Sequence, residues 1–502
     1  MNNPLQTAKR GLRRRPLLPA LTLAALLCAA TTVAAAPSTT MPDTPTGRVG
    51  SELMKHVNSD APEQMRAWAP TVLSPAVGKD DAADFVDGMV SAVRDSGGVT
   101  LTDAHTTQRG LLVLTVKAHR GSQSAIFVLA ADPAQPDKLV QARLMPIDDP
   151  ALYADWPKTA VSREEMKRLI HAGLDRLVRT NDFSGCVTVA DGGKTVFDEC
   201  RGLAERNFSV PIDHQTKFHV GSIDKMFTAV AIAQLVEAGK LSWDAKLAQW
   251  VPEYADHAAA NEITVWDLLH HTAGLGDVLV PEYFARREQF NEPADFLDLI
   301  ARQPKVGEPG KEWNYSNAGY MLLGRIVEKV SHESYYDYIK RHVFAPAGMD
   351  ASGFDTLNEV TAKLAVGYFH DGLFASDWKA DWMKIPFKGD PAGGGYSTNA
   401  DLLRFAQALR EGKLVKPATL AKMFDGGVPA GPGSYAAGFG DRLSNGRHIR
   451  GHAGGIEGTD ANLQIVWGTD AAVALTSNQG PGQSWMLAEH IADLLAADAT
   501  KR

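Results

Sequence analysis

Ser222 and Lys225 stand three residues apart in Phe218-His219-Val220-Gly221-Ser222-Ile223-Asp224-Lys225-Met226-Phe227. On a helix, positions i and i+3 share a face, so the Lys225 amine can reach the Ser222 hydroxyl. A serine hydroxyl is a weak nucleophile until a neighbouring base takes its proton. A lysine whose pKa is lowered can be that base. The spacing alone does not decide, because Ser376-Asp377-Trp378-Lys379 repeats it in a Gly- and Asp-rich stretch without helical pattern. Two further groups carry chemistry. Tyr315-Ser316-Asn317, the single Tyr-x-Asn of the chain, supplies a phenol and an amide. His452-Ala453-Gly454-Gly455 follows a strand pattern and ends in glycines, where backbone N–H groups can face a substrate. A second His-x-Gly, His171-Ala172-Gly173, falls inside a helical pattern, where a small residue serves packing.

The element that must position the nucleophile follows it directly. Residues 228–238 are good helix formers and apolar on nearly every face, so this helix should be buried. Gly239 is its expected stop, since glycine accepts a positive φ without a Cβ clash. Ser222 therefore opens a buried helix, whose positive end and backbone N–H favour a developing oxyanion. Upstream, residues 162–177 read as a capped helix, and a hairpin pattern runs from Cys186 to Cys200. A three-residue loop at 192–194 places those cysteines opposite each other. An exported protein can bridge them; two free thiols are the alternative. Residues 240–390 are rich in Trp, Tyr and His and read as a helical subdomain. There, His270-His271 sit at a helix end turning at Gly274; adjacent side chains diverge, so a structural role fits better than a shared metal. From Gly393-Gly394-Gly395 onward sheet patterns return: a helix at 401–410, strands at 447–450, 461–467 and 471–477, turns at Gly454-Gly455 and 468–470, and a closing helix at 485–497.

The remainder of the chain frames this part. With 502 residues, 44% hydrophobic and 22% charged, it holds two to three domains. Residues 1–36 read as a secretory signal peptide: a basic start, an apolar run too short for a span, and Ala34-Ala35-Ala36 before the cut. Their removal takes five basic side chains and moves the net charge from −8 to −13, which argues against a nucleic-acid partner. No later stretch is long enough to span a membrane. Residues 37–50 read as a linker. Residues 51–147 read as a small α+β domain, helical at 51–68 and 82–93 and then an antiparallel meander, similar to cystatin-like or nuclear-transport-factor-like folds. No catalytic cluster stands out there. Residues 148–160 join it to the part that carries Ser222, 161–500.

Ser-x-x-Lys, Tyr-x-Asn and His-x-Gly, in that order, resemble the class C β-lactamase-like serine hydrolases. That family includes penicillin-binding carboxypeptidases, D-amino-acid peptidases and esterases. The stretches Gly221–Lys225, 269–275 and Gly394-Gly395-Tyr396-Ser397-Thr398 are similar to its signatures too. The resemblance covers roughly residues 160–500 and implies an α+β fold, an antiparallel sheet flanked by helices with an all-helical subdomain. It implies that Ser222 is acylated, and that Lys225 and Tyr315 share the proton traffic, with Tyr315 as base. It also implies that Asn317 holds Lys225 and the substrate amide, and that the N–H groups of Ser222 and Gly455 form the oxyanion hole. No cofactor or metal is needed. The substrate would be a small molecule or peptide, peptidoglycan fragments among them. Many relatives carry lysine where this chain has His452. Histidine, with a reference pKa of about 6.5, is a weaker grip on a carboxylate. That favours an ester or D-amino-acid amide over a β-lactam. A silent sensor of cell-wall fragments is the competing class, motivated by the extra amino-terminal domain.

Overall fold

A computed structural model describes residues 38–107, 110–120, 124–147, 153–370 and 377–498. The signal-peptide stretch, the Ser376 decoy and part of the 148–160 joint lie outside the described residues.

The amino-terminal unit follows the expected order, helices and then a meander. Its helices are Pro45–Ser59, Pro62–Trp68 and Lys79–Ser96. Its strands Val99–Thr106, Leu112–Ala118, Ser124–Asp132 and Gln135–Ile147 pair in sequence order, all antiparallel. Two boundaries differ from the sequence reading. The stretch read as linker at 37–50 is helical from Pro45, capped by the Thr44 side chain on the Gly47 N–H. The single helix expected at 51–68 is broken at Asp60-Ala61, because Pro62 forces the residue before it out of the helical region. The unit has its own core, with Leu53, Met65, Met89, Leu114 and Phe127 buried together.

The larger part is built on an eight-stranded antiparallel sheet. From edge to edge its strands are Val428–Ala430, Gly433–Ala436, Phe439–Ser444, Arg447–Ile456, Thr459–Val466, Ala472–Ser477, Gly185–Asp191 and Lys194–Arg201. The hairpin from the start of this part thus adds to the edge of strands from its end. The helices Arg163–Arg179 and Ser484–Asp498 cover one face with Leu174, Val187, Leu475 and Ile491 buried between. Gly173 of the second His-x-Gly packs there, its Cα facing Leu487 and Trp156. The other face holds the buried helix Asp224–Glu237, with eleven buried positions and a stop at Gly239 in the left-handed region.

Cys186 and Cys200 are disulfide-bonded and directly opposite in the ladder. The register arises differently from the expectation. Gly192 and Gly193 alone make the turn, both with positive φ, and a bulge at Val196 restores the offset. The helical subdomain is also shorter than read. Helices run from Leu247 to Ala347; beyond that come irregular chain and a small hairpin, Tyr368–His370 with Trp378–Ala380. Gly, Pro and Asp in 351–395 disfavour helix there.

Candidate active site

Three segments distant in sequence meet at the Ser222 oxygen. Lys225 Nζ is 3.0 Å from Ser222 Oγ, and the Tyr315 hydroxyl donates to the same oxygen at 2.8 Å. Ser222 lies in a 3-10 turn, Gly221–Ile223, which runs straight into the helix that carries Lys225. Tyr315 precedes the helix Asn317–Ser331, whose buried face packs on the nucleophile helix.

Lys225 is wholly buried, and its remaining partners are Asn317 Oδ1 at 2.8 Å and the Ala392 carbonyl at 2.5 Å. Burial pushes its pKa below the ordinary lysine range, while the carboxylates of Asp390, Asp277 and Asp224 pull the other way. A neutral amine has two N–H groups and one lone pair. Asn317 Oδ1 and Ala392 O can only accept, so in the neutral form the lone pair faces the Ser222 hydroxyl, and in the ammonium form a third N–H donates to it. Tyr315 has the opposite tuning: burial raises its phenol above the usual value, so it stays protonated. With Lys225 in its neutral form this geometry suits Lys225 as base and Tyr315 as a neutral proton carrier, an alternative to the resemblance, which assigns the base to Tyr315.

His452 does not point a cation at the site. Its Nδ1–H donates to its neighbour's carbonyl, Ala453 O, at 2.5 Å, so Nε2 accepts from the Tyr435 hydroxyl at 3.0 Å. Burial is the main cause that brings its pKa down to about 3, and Lys225 adds to it when protonated. The imidazole is neutral at any ordinary pH. Gly454-Gly455 are not the turn expected from sequence. They continue the strand Arg447–Ile456, paired with Ala461 and Asp460, and the chain turns at Glu457-Gly458. What the glycine allows is close approach: a Cβ on Gly454 would sit 1.9 Å from Val220 O and 3.0 Å from the Ser222 nitrogen. Across the gap, a Cβ on Gly221 would meet the Gly455 nitrogen at 3.1 Å. The two main-chain nitrogens assigned to the oxyanion hole thus lie on facing backbones.

Four residues beyond the catalytic candidates hold these groups. Asp390 accepts from the Ala392 and Gly393 N–H groups, shaping the turn that presents the Ala392 carbonyl to Lys225. Asp224 accepts from the Gly395 N–H at 2.6 Å and ties the Gly393 triplet to the nucleophile turn. The triplet must be glycine because a Cβ on Gly393 would come within 3.0 Å of Gly221 and one on Gly395 within 2.7 Å of Asp224. Asp277 accepts from Asn317. His271, in the left-handed region, accepts the Asn314 N–H on its carbonyl and the Ser316 N–H on Nδ1, so it grips the chain on both sides of Tyr315. Its ring lies 4.3 Å from that of Tyr315. The two histidines diverge: His270 turns away to Trp266, while His271 turns to Tyr315.

Known proteins resemble this chain over the part that carries Ser222. The Beta-lactamase family profile matches residues 172–497. The putative penicillin-binding protein PbpX of Bacillus subtilis is 31% identical over 285 residues, 56% of this chain and 68% of that protein. Esterase EstB of Burkholderia gladioli is 28% identical over 287 residues, 50% of this chain and 72% of that protein. A solved penicillin binding protein from Bacillus halodurans aligns with TM-score 0.56 and 28% identity, covering 68% of this chain and 99% of that one. D-amino acid amidase from Ochrobactrum anthropi aligns with TM-score 0.58 at 24% identity, over 67% of this chain and 99% of that one, and speaks for the fold alone. The chain belongs to the β-lactamase family and is a serine hydrolase.

Proposed function

We propose that this protein is an exported hydrolase that cleaves esters or amides, D-amino-acid peptides among them, through an acyl-enzyme on Ser222. One observation carries the reading: an amine and a phenol are both within hydrogen-bond distance of the Ser222 oxygen. Ser222 Oγ attacks the carbonyl carbon and its proton passes to Lys225 Nζ. Oxyanion charge is met by the N–H groups of Ser222 and Gly455, each such donor being worth roughly 10²–10³ in turnover. The proton then reaches the leaving group through the Tyr315 hydroxyl, and water releases the acyl group from Ser222 by the reverse route.

The substrate class follows from charge. A neutral His452 offers a carboxylate no fixed cation, which favours a neutral ester or amide over a β-lactam. Export rests on the amino-terminal sequence and on the Cys186–Cys200 bridge, a bond that persists in oxidising compartments. Among the described residues, no helix is long and apolar enough to cross a membrane.

The test is a panel of nitrophenyl esters, D-alanyl peptides and amides, and a chromogenic cephalosporin, run on wild type and Ser222→Ala. Turnover of an ester or amide that vanishes in the variant is expected, with the acyl adduct seen by intact mass. Ligand binding that survives Ser222→Ala, with no product from the wild type, would replace the enzyme by a sensor of cell-wall fragments.

A further inference from the structure

Asp277 belongs to none of the three motifs, yet it touches the residue that sets the state of Lys225. Its two carboxylate oxygens both lie 3.1 Å from Asn317 Nδ2. A carboxylate only accepts, so the amide nitrogen must face Asp277, and Oδ1 must face Lys225. Asp277 is itself held: its Oδ1 accepts the Val278 N–H at 2.7 Å, and the Ser316 hydroxyl donates to the adjoining Gly276 carbonyl at 3.2 Å. The loop that carries Asp277 is therefore pinned to the residue between Tyr315 and Asn317.

We propose that Asp277 is a positioning residue, which locks the Asn317 amide and so reserves the Lys225 lone pair for the Ser222 hydroxyl. The inference rests on Lys225 being the base. Were the Asn317 amide to turn over, Nδ2–H would offer itself to that lone pair, and the serine proton would have no acceptor. The charge of Asp277 has a second effect. Lys225 is faced by the carboxylates of Asp224, Asp277 and Asp390, the phenols of Tyr315 and Tyr320, and the imidazoles of His271 and His452. Asp277 is one of the charges that favour the ammonium and oppose burial. Removing it makes the amine easier to deprotonate, so the acid limb of the rate moves to lower pH even as the geometry worsens.

These two effects separate in one experiment. The second-order rate of Ser222 labelling by a fluorophosphonate is measured from about pH 5 to 10, a range that brackets a base of lowered pKa. The proteins are wild type, Asp277→Asn, Asn317→Ala, the double variant and Asp277→Glu, with thermal melting as the folding control. Asp277→Asn is expected to lower the plateau roughly 10–100-fold through misplacement. Its acid limb should move down by about one pH unit through the lost charge. With Asn317→Ala in place, Asp277→Asn should no longer lower the plateau but should still move the limb. Asp277→Glu keeps the charge and should lower the plateau with the limb in place. An equal loss at every pH with an unmoved limb would overturn the proposal. So would a plateau loss as large in the Asn317→Ala background as in the wild type, or a displaced limb in Asp277→Glu. Labelling that persists in Ser222→Ala would instead overturn the nucleophile assignment on which the proposal rests.

Discussion

A lysine in water holds its proton to about pH 10.4. At position 225 the amine is wholly buried, and its Asn317 Oδ1 and Ala392 carbonyl partners can only accept. Burial and geometry act together to leave a lone pair on the serine. The phenol beside it is shifted the other way by the same burial. Two groups with their pKa values pushed in opposite directions are suited to divide the labour of base and proton carrier, as proposed above. Tyr315→Phe should therefore lower kcat/KM by roughly 10²–10³, within the usual span of general acid–base catalysis, and leave the acid limb where it is. Were Tyr315 the base, the limb would belong to the phenol and disappear in the variant. A pH–rate profile of both proteins with one nitrophenyl ester decides it. From sequence His271 reads as a structural histidine within the 269–275 stretch, and Asp277 has the type and spacing of an ordinary turn residue. Only their contacts with Tyr315 and Asn317 give them a part.

At the scale of elements, chain reversal and close approach are the informative features. The Cys186–Cys200 hairpin pairs its cysteines through a two-glycine turn plus a bulge, a combination with the same residue count as a three-residue loop. Glycine in the strand Arg447–Ile456 reads in sequence as a turn, because the same missing Cβ serves turns and close backbone contacts alike. The partner that makes the difference, Val220, is more than two hundred residues away. A bridge that closes a loop of this size constrains the unfolded chain, so Cys186→Ser with Cys200→Ser should cost about 3 kcal/mol of stability. Urea unfolding of the variant against the oxidised protein measures it, and an unchanged midpoint would contradict the assignment. The buried helix Asp224–Glu237 was legible throughout, from its apolar run to its glycine stop, since such a pattern has few other uses.

For the whole molecule, acid stability is a contest between buried imidazoles and buried carboxylates. His270 is buried and shifted down to about 4, and His271 and His452 are shifted down as well. Unfolded imidazoles take up protons near pH 6.5, and these folded ones do not. The unfolded state then binds more protons, and the stability each histidine contributes above pH 6.5 is lost as pH falls towards the folded value. Asp224, Asp381 (pushed up to about 6) and Asp390 act with the opposite sign on acidification, since burial makes their folded carboxylates take up protons at a higher pH than the unfolded chain does. A single variant isolates one side. His270→Gln has no imidazole to protonate, so its stability relative to wild type should improve on acidification from pH 6.5 to 4.5. The gain expected is on the order of 1 kcal/mol per pH unit. Denaturant midpoints of both proteins at three pH values check the slope, and parallel curves would show that His270 is not held neutral by the fold.

The sequence by itself singled out the groups that meet at the site: a hydroxyl, an amine, a phenol, an amide and a glycine-rich strand, in an order that few other functions need. It also determined the helix behind the nucleophile and the helix-then-meander order of the amino-terminal unit, because periodicity and glycine stops are local properties. Tertiary structure alone decided the directions of the pKa shifts and the residues that hold the site groups in place. Desolvation of Lys225, Tyr315 and His452 depends on what covers them, and the roles of Asp277, Asp390 and His271 depend on segments brought together from across the chain. A pKa and an amide orientation are properties of surroundings, and surroundings exist only once the chain has folded.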